Sequence, residues 1–189
     1  MRTSLRYLIA LTLPLIAVAL AGAQEKKHAD HDKHEAHLPK KGIAVFIPTE
    51  GQQVRGTLTL VSTAAGVHIT GKVTGLTPGE HGFHIHEFGD LSSADGSAAG
   101  GHYNPDGHMH GGPDSKEKHA GDLGNLKADK DGVAMVDVKA EVALHFIVGR
   151  AFVVHAKADD LKTQPSGDAG GRVALGLIGI ANDKPPMKK

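Results

Sequence analysis

Histidine is the residue type most able to do chemistry in this 189-residue chain, which contains fourteen histidines and no cysteine. His84 and His86 lie in the segment HGFHIHEFGD (81–90), part of which we predict to be a β-strand. Side chains two residues apart in a strand point to the same face, so both imidazoles could reach one ion. Two imidazoles held on a strand suit a borderline metal such as copper or zinc. A half-exposed strand can also carry two histidines that bind nothing, so the pair alone leaves the question open.

Five further candidate ligands follow the pair, and most of them fall in one long loop. Residues 89–123 have no apolar periodicity and are rich in Gly, Ser, Asp and His, and a loop of that length is usually functional or disordered. If it folds back over the strand, it adds four candidates to the pair, and the end of a later strand adds a fifth. These are His102, His110, His119 and Asp122 in the loop, and His155 in the strand. Seven ligands fill two four-coordinate sites only if one is shared, which points to a bridging histidine.

Short β-strands are the elements that must position these residues. Apolar stretches separated by Gly, Pro and Asp turn signals indicate an antiparallel sandwich or barrel, and no helical period of useful length is present. A second loop is predicted over residues 160–171. The predicted strands are 43–47, 53–61, 67–73, 81–88, 124–128, 133–138, 151–155 and 173–181.

The composition narrows the classes of function and of fold. The formal net charge is zero, so nothing suggests a nucleic-acid partner. Without cysteine, the chain has no disulfide and no thiolate to serve as ligand or nucleophile. Twenty-five glycines and only 4% aromatic residues favour a turn-rich β architecture over a helical bundle.

The N-terminus is typical of a secretory signal. Arg2 and Arg6 precede an apolar run over residues 8–20, and Ala21-Gly22-Ala23 offers a small-x-small cleavage site. The run is shorter than the ~20 residues that span a bilayer. We therefore predict a cleaved signal peptide at 1–23, no membrane span after cleavage, and export to the periplasm, the cell envelope or the extracellular space.

A polar segment, QEKKHADHDKHEAHLPKK (24–41), follows the predicted signal and is expected to be disordered. Its histidines recur every third residue, at His28, His31, His34 and His37. Such a tract could capture metal and act as an accessory copper donor to the domain; alternatively, it is a solvated linker whose histidines do nothing. We place one domain at 42–182 and a polar C-terminal tail at 183–189.

Seven stretches of the domain occur in a diagnostic order between residues 81 and 181. They are HGFHIHEFGD (81–90), GGHYNP (100–105), HGGP (110–113), KHAGDLGN (118–125), DKDGVA (129–134), GRAFVVHAKADDL (149–161) and GDAGGRVALGLIGIA (167–181). With these stretches the chain resembles the copper/zinc superoxide dismutases, in particular exported bacterial members. The resemblance implies an all-β fold: an eight-stranded antiparallel Greek-key barrel or sandwich with a long metal-binding loop and a short second active-site loop.

The resemblance also implies roles for individual residues. Copper would be bound by His84, His86, His102 and His155, and zinc by His102, His110, His119 and Asp122, with His102 as the bridge. Asp159 would join the imidazoles of His84 and His110, and Arg172 would bind superoxide near copper. Superoxide would be converted to dioxygen and hydrogen peroxide as copper cycles between Cu(II) and Cu(I), while His102 takes up and returns a proton.

The chain departs from the family pattern where the family usually has a disulfide. The motifs align Gly96 and Leu175 with the two half-cystines, so we expect the 90–101 segment to depend on metal binding for its order. The missing link also leaves the oligomeric state open between monomer and homodimer. Four histidines of the domain fall outside the ligand pattern and are expected to be structural or on the surface: His68, His81, His108 and His145.

Two other functions stay open at this point. The chain could be an exported copper carrier or buffer on the same fold without turnover, with the histidine-rich segment as its collector. It could also be a structural domain that binds only zinc. That all seven ligand positions and Arg172 are filled favours the enzyme.

Overall fold

The structure is a computed structural model that describes residues 38–182 and 184. The predicted signal peptide and His28, His31, His34 and His37 lie outside the described residues. Within the described part of the chain, no helix is long and apolar enough to cross a membrane.

Eight β-strands make up the described domain, together with two short helical segments. The helical segments are a 3₁₀ turn at Ser97–Ala99 and a one-turn helix, α1, at Leu144–Ile147. The strands are β1 (Lys41–Pro48), β2 (Arg55–Thr63), β3 (Gly66–Thr74), β4 (Gly79–His86), β5 (Asp122–Ala128), β6 (Val133–Ala140), β7 (Ala151–His155) and β8 (Arg172–Ile180).

The strands form one antiparallel sheet in the order β5-β4-β7-β8-β1-β2-β3-β6. The chain crosses from β3 to β4 and again from β6 to β7, which are Greek-key connections. The two end strands, β5 and β6, are consecutive in sequence and meet at a turn closed by the Gly132 N–H, which donates to the Asp129 carbonyl. The predicted all-β, eight-stranded antiparallel barrel is therefore confirmed, and it is nearly closed.

The barrel core follows from the alternation of side chains along the strands. In β1, Ala44 and Phe46 point inward while Ile43 and Val45 point outward. Phe46 and Phe83 stack on Phe152, with ring centroids 6.4 and 5.2 Å apart, which joins β1, β4 and β7 through their inner faces. This packing holds the two strands that carry three of the candidate ligands.

Both faces of β4 are buried from His81 to His86, so the histidine pair does not lie on a half-exposed strand. The long loop covers the outer face and completes the hydrogen bonding: the Ile85 N–H donates to Gly121 and the Ile85 carbonyl accepts from Tyr103. The strand also ends at His86 and not at the predicted Phe88, which leaves the sheet and is exposed.

The 90–101 segment is held to β8 by an apolar cluster, without any covalent link. Leu175, Ala99 and Val153 form this cluster, and Leu91 packs against it. Gly96 has a left-handed φ of 78°, and a Cβ added there would lie 2.5 Å from Leu175 Cδ1. The two positions that align with the family's disulfide are thus in direct contact, with the leucine side chain filling the space beside a glycine.

We expect Leu175→Ala to lower the free energy of unfolding by about 2–5 kcal/mol, because it leaves a cavity under the 90–101 segment. Urea unfolding of the metal-free protein measures this. Leu177→Ala on the same strand is the control, since Leu177 is 44% exposed and should cost far less. Equal losses in the two variants would contradict this account of how the segment is held.

Candidate metal centre

Four buried histidines from three parts of the chain converge outside the barrel wall. β4 carries His84 and His86, the long loop carries His102, and β7 ends at His155. One ring nitrogen from each of the four lies within 4.8 Å of the others. We refer to these residues as the four-histidine group.

Each of three rings in this group is fixed through its other nitrogen. His84 Nε2 donates to Asp159 Oδ2 at 2.7 Å. His86 Nδ1 donates to the Gly100 carbonyl at 2.9 Å, and His155 Nδ1 donates to the Gly170 carbonyl at 3.0 Å. A neutral imidazole that donates from one nitrogen has a lone pair on the other. The hydrogen bonds therefore set which nitrogen of each ring can bind a metal.

The remaining nitrogens have the signature of metal ligands, since they are buried and have no hydrogen-bond partner among the described residues. A buried polar atom without a partner is costly, and a bound metal ion would satisfy it. The atoms are His84 Nδ1, His86 Nε2, His102 Nε2, His155 Nε2 and, from the neighbouring group, His110 Nδ1. The residues present thus fit bound metal.

A second group lies beside the first and shares His102 with it. Three nitrogens surround Asp122 Oδ1: His102 Nδ1 at 2.8 Å, His110 Nδ1 at 3.1 Å and His119 Nδ1 at 3.2 Å. We refer to these four residues as the aspartate group; their ligand atoms also lie within 4.8 Å of one another. Asp122 Oδ2 accepts from the backbone N–H groups of Gly111 and His119, which orients the carboxylate. Three histidines and a carboxylate are a closed tetrahedral set of the kind that binds zinc.

Asp159 joins the two groups. Its Oδ2 accepts from His84 and its Oδ1 accepts from His110 Nε2 at 3.0 Å, and all three side chains are fully buried. Asn125 holds the backbone of Asp159 with two hydrogen bonds: Oδ1 accepts from the N–H at 2.7 Å and Nδ2 donates to the carbonyl at 2.9 Å. The aspartate therefore fixes one ring of each group from a rigid position.

Arg172 lies at the edge of the four-histidine group. Its Nη1 donates to the Gly96 carbonyl and its Nη2 donates to the Gly100 carbonyl at 2.6 Å. The Gly100 carbonyl also accepts from His86, so one backbone oxygen positions both the guanidinium and a candidate ligand. Arg172 is only partly buried, so part of the side chain stays accessible from solvent.

Burial sets the charge state of His84, His86 and His155. It lowers the pKa of His84 to about 4, of His86 to about 2 and of His155 to about 3. Positive charge on neighbouring groups, including Arg172, lowers the pKa of His86 and His155 further. Burial alone would raise the pKa of Asp159, but hydrogen bonds led by that from His84 outweigh it and lower the value to about 2. At neutral pH these imidazoles are neutral and can bind metal.

The structure brings together every residue that the sequence grouped, and the four other histidines among residues 38–182 lie outside both groups. His81 is buried, with Nδ1 2.8 Å from the His155 carbonyl and Nε2 2.8 Å from the Thr77 carbonyl. His68 pairs with Asp137 at the surface, and His108 and His145 are exposed. The sequence did not predict the backbone carbonyls that accept hydrogen bonds from the ligand rings, nor the side chains that bind the backbone of Asp159 and His110. No sequence signal identifies a backbone acceptor; the clamping residues are Asn125 and Gln164.

We expect the metal-free protein to lose stability as the pH falls from 7 towards 4. The pKa values of His84, His86 and His155 lie below the ordinary value of about 6.5, so the unfolded chain binds more protons than the folded chain in this range. Each such proton lowers the free energy of unfolding by about 1.4 kcal/mol per pH unit. Urea unfolding of chelator-treated protein at several pH values measures the slope.

A pair of variants tests the cause of that slope. His86→Gln should reduce it, whereas His145→Gln, which removes an exposed imidazole, should leave it unchanged. Stability that stayed constant between pH 7 and 4.5 would contradict the burial of neutral imidazoles.

Comparison with known proteins identifies the family. The family model for copper/zinc superoxide dismutase (SODC) matches residues 54–178. The chain is 45% identical over 148 residues to superoxide dismutase [Cu-Zn] 2 of Mesembryanthemum crystallinum, which covers 72% of this chain and 94% of that protein. It is 44% identical over 148 residues to superoxide dismutase [Cu-Zn] 3 of Arabidopsis thaliana, covering 72% of this chain and 90% of that protein.

A solved structure agrees with the sequence relatives. The clock protein EA4 superposes with a TM-score of 0.69 at 44% identity, covering 76% of this chain and 96% of the EA4 chain. The family's cofactors, copper and zinc, suit the two histidine groups described above. The chain therefore belongs to the copper/zinc superoxide dismutase family.

Proposed function

We propose that the protein is a superoxide dismutase, converting two superoxide anions and two protons to dioxygen and hydrogen peroxide. The observation that carries the proposal is the shared His102: two buried ligand groups of different composition meet at one imidazole, with Arg172 beside the first group. Neither a copper carrier nor a zinc-only domain needs two different metal sites, and neither needs a cation beside the four-histidine group.

The donor sets support a division of the two metals. The four-histidine group would hold copper, since four imidazole nitrogens suit the tetragonal preference of Cu(II). The aspartate group would hold zinc. Copper, when bound, supplies the one-electron redox change, and zinc supplies fixed positive charge without redox chemistry.

Arg172 would bind the substrate anion. Its guanidinium is an always-charged donor that suits a small anion, and the two carbonyls that accept from it fix its direction. Because Gly100 also positions His86, movement of the 96–100 segment would displace both the anion-binding cation and a copper ligand. Superoxide bound to Arg172 would then lie at the edge of the four-histidine group.

His102 would hold and deliver a proton at Nε2. Its Nδ1 stays 2.8 Å from Asp122 Oδ1, so the ring keeps its orientation while Nε2 gains or loses a proton. The opposite nitrogens of this one ring belong to different groups, which gives His102 a role that none of the other ligands shares.

Turnover of the copper- and zinc-loaded protein tests the proposal. His84→Ala should reduce superoxide consumption at least about 100-fold, in line with the loss of a metal ligand. Arg172→Ala should lower kcat/KM about 10-fold through the loss of anion attraction, with Arg172→Lys in between because the charge is kept. Arg55→Ala, which removes an exposed arginine of β2, is the control and should retain full activity.

Metal content measured on the same samples separates the alternatives. Copper binding without turnover in the parent protein would contradict the proposal and favour a copper carrier. Zinc binding alone would favour a structural domain. Export from the cytoplasm, metal capture by His28, His31, His34 and His37, and the choice between monomer and homodimer stay predictions from the sequence.

A further inference from the structure

Two residues between β7 and β8 contact all but one of the polar atoms of His110: Asp159, and Gln164 of the second loop. Its backbone N–H donates to Gln164 Oε1 at 2.8 Å, and its backbone carbonyl accepts from Gln164 Nε2 at 2.8 Å. Its Nε2 donates to Asp159 Oδ1 at 3.0 Å. The remaining polar atom is Nδ1, the buried nitrogen that faces Asp122.

The pairing with Gln164 suits a carboxamide. One planar group offers a donor and an acceptor side by side, with the oxygen facing the His110 N–H and the NH₂ facing the His110 carbonyl. His110 lies outside every strand of the described fold, so no neighbouring strand satisfies its backbone. Gln164 therefore supplies the pair of hydrogen bonds that a strand partner would otherwise provide.

The contact extends along the loop on both sides. Leu161 packs against the next residues of the long loop, where a Cβ added to Gly112 would lie 3.3 Å from Leu161 Cδ1. Asn125 clamps the backbone of Asp159 in the same bidentate manner as Gln164 clamps His110. Asn125 thus fixes the backbone of Asp159, and Gln164 fixes the backbone of His110, which is the ligand hydrogen-bonded to Asp159.

We propose that Gln164 is a positioning residue for the aspartate group: it clamps the His110 backbone so that Nδ1 is presented to the bound ion. The proposal rests on the proposed function in taking zinc as that ion. It makes the second loop a determinant of zinc retention, although that loop contributes no ligand of its own to the group.

Zinc affinity is the first readout, measured by competition between the metal-free protein and a chromophoric chelator at neutral pH. Gln164→Ala should weaken zinc binding about 10-fold, as loss of a partner that orients a ligand does. Thr163→Ala is the control in the same loop, because it removes the exposed hydrogen bond to Asp160 without touching His110. It should change zinc affinity less than about twofold, as expected for a surface change.

Amide hydrogen exchange at His110 is the second readout, and Gln164→Glu distinguishes positioning from general loosening of the loop. The carboxylate keeps an acceptor for the His110 N–H but has no donor for the carbonyl. His110 exchange should therefore accelerate in Gln164→Ala and stay slow in Gln164→Glu, while zinc affinity falls in both.

Two results would overturn the proposal alone: parent-like zinc affinity in Gln164→Ala, or equal losses in Gln164→Ala and Thr163→Ala. A parent protein that bound no zinc at the aspartate group would overturn the proposed metal assignment together with this inference. Full zinc affinity without superoxide turnover would contradict the proposed function and leave the role of Gln164 to be decided by the variants.

Discussion

Both ligand groups depend on the two hydrogen bonds that the buried carboxylate of Asp159 accepts. Each of its oxygens accepts a hydrogen bond from a different group, one from His84 and one from His110. These bonds hold its pKa at about 2 in spite of burial, so the carboxylate is ionised whenever the protein is folded at neutral pH. The charge in turn keeps a proton on the outer nitrogen of each ring and leaves the inner nitrogen free for metal.

The fold provides that carboxylate with a rigid setting. Stacked phenylalanines join β4 and β7 inside the barrel, so the strand that carries His84 and the strand that ends at His155 are fixed from within. The loops then act from outside, with Gly100 and Gly170 supplying carbonyl acceptors and Asn125 clamping the aspartate backbone. The strands place the histidines approximately, and the loop contacts determine which nitrogen of each ring is left to bind metal.

Because the chain has no cysteine, noncovalent contacts hold the 90–101 segment on the barrel. Leu175 packs beside Gly96, and Arg172 donates to carbonyls on both sides of the 3₁₀ turn. An apolar contact and two charge-assisted hydrogen bonds therefore occupy the region where the family usually has a covalent link. The guanidinium that would attract substrate is also part of what keeps the segment in place, so substrate binding and loop order share one side chain.

The sequence predicted the strands and the His84–His86 pair because both have local signals. Alternating apolar residues identified β1, and the spacing of His84 and His86 placed both rings on one strand face. The grouping of the loop ligands came from family motifs, since spacing alone does not say how a long loop folds. The carbonyl acceptors and the clamp at Gln164 could not be predicted, because any residue can present a carbonyl and a lone glutamine has no distinguishing pattern.

Anomalous diffraction from crystals of the copper- and zinc-loaded protein, collected at the absorption edges of both metals, tests the central claim most directly. The account predicts two separate peaks, copper within the four-histidine group and zinc within the aspartate group, with the His102 ring between them. A single peak, or one metal in both groups with His102 bound to only one ion, would contradict it.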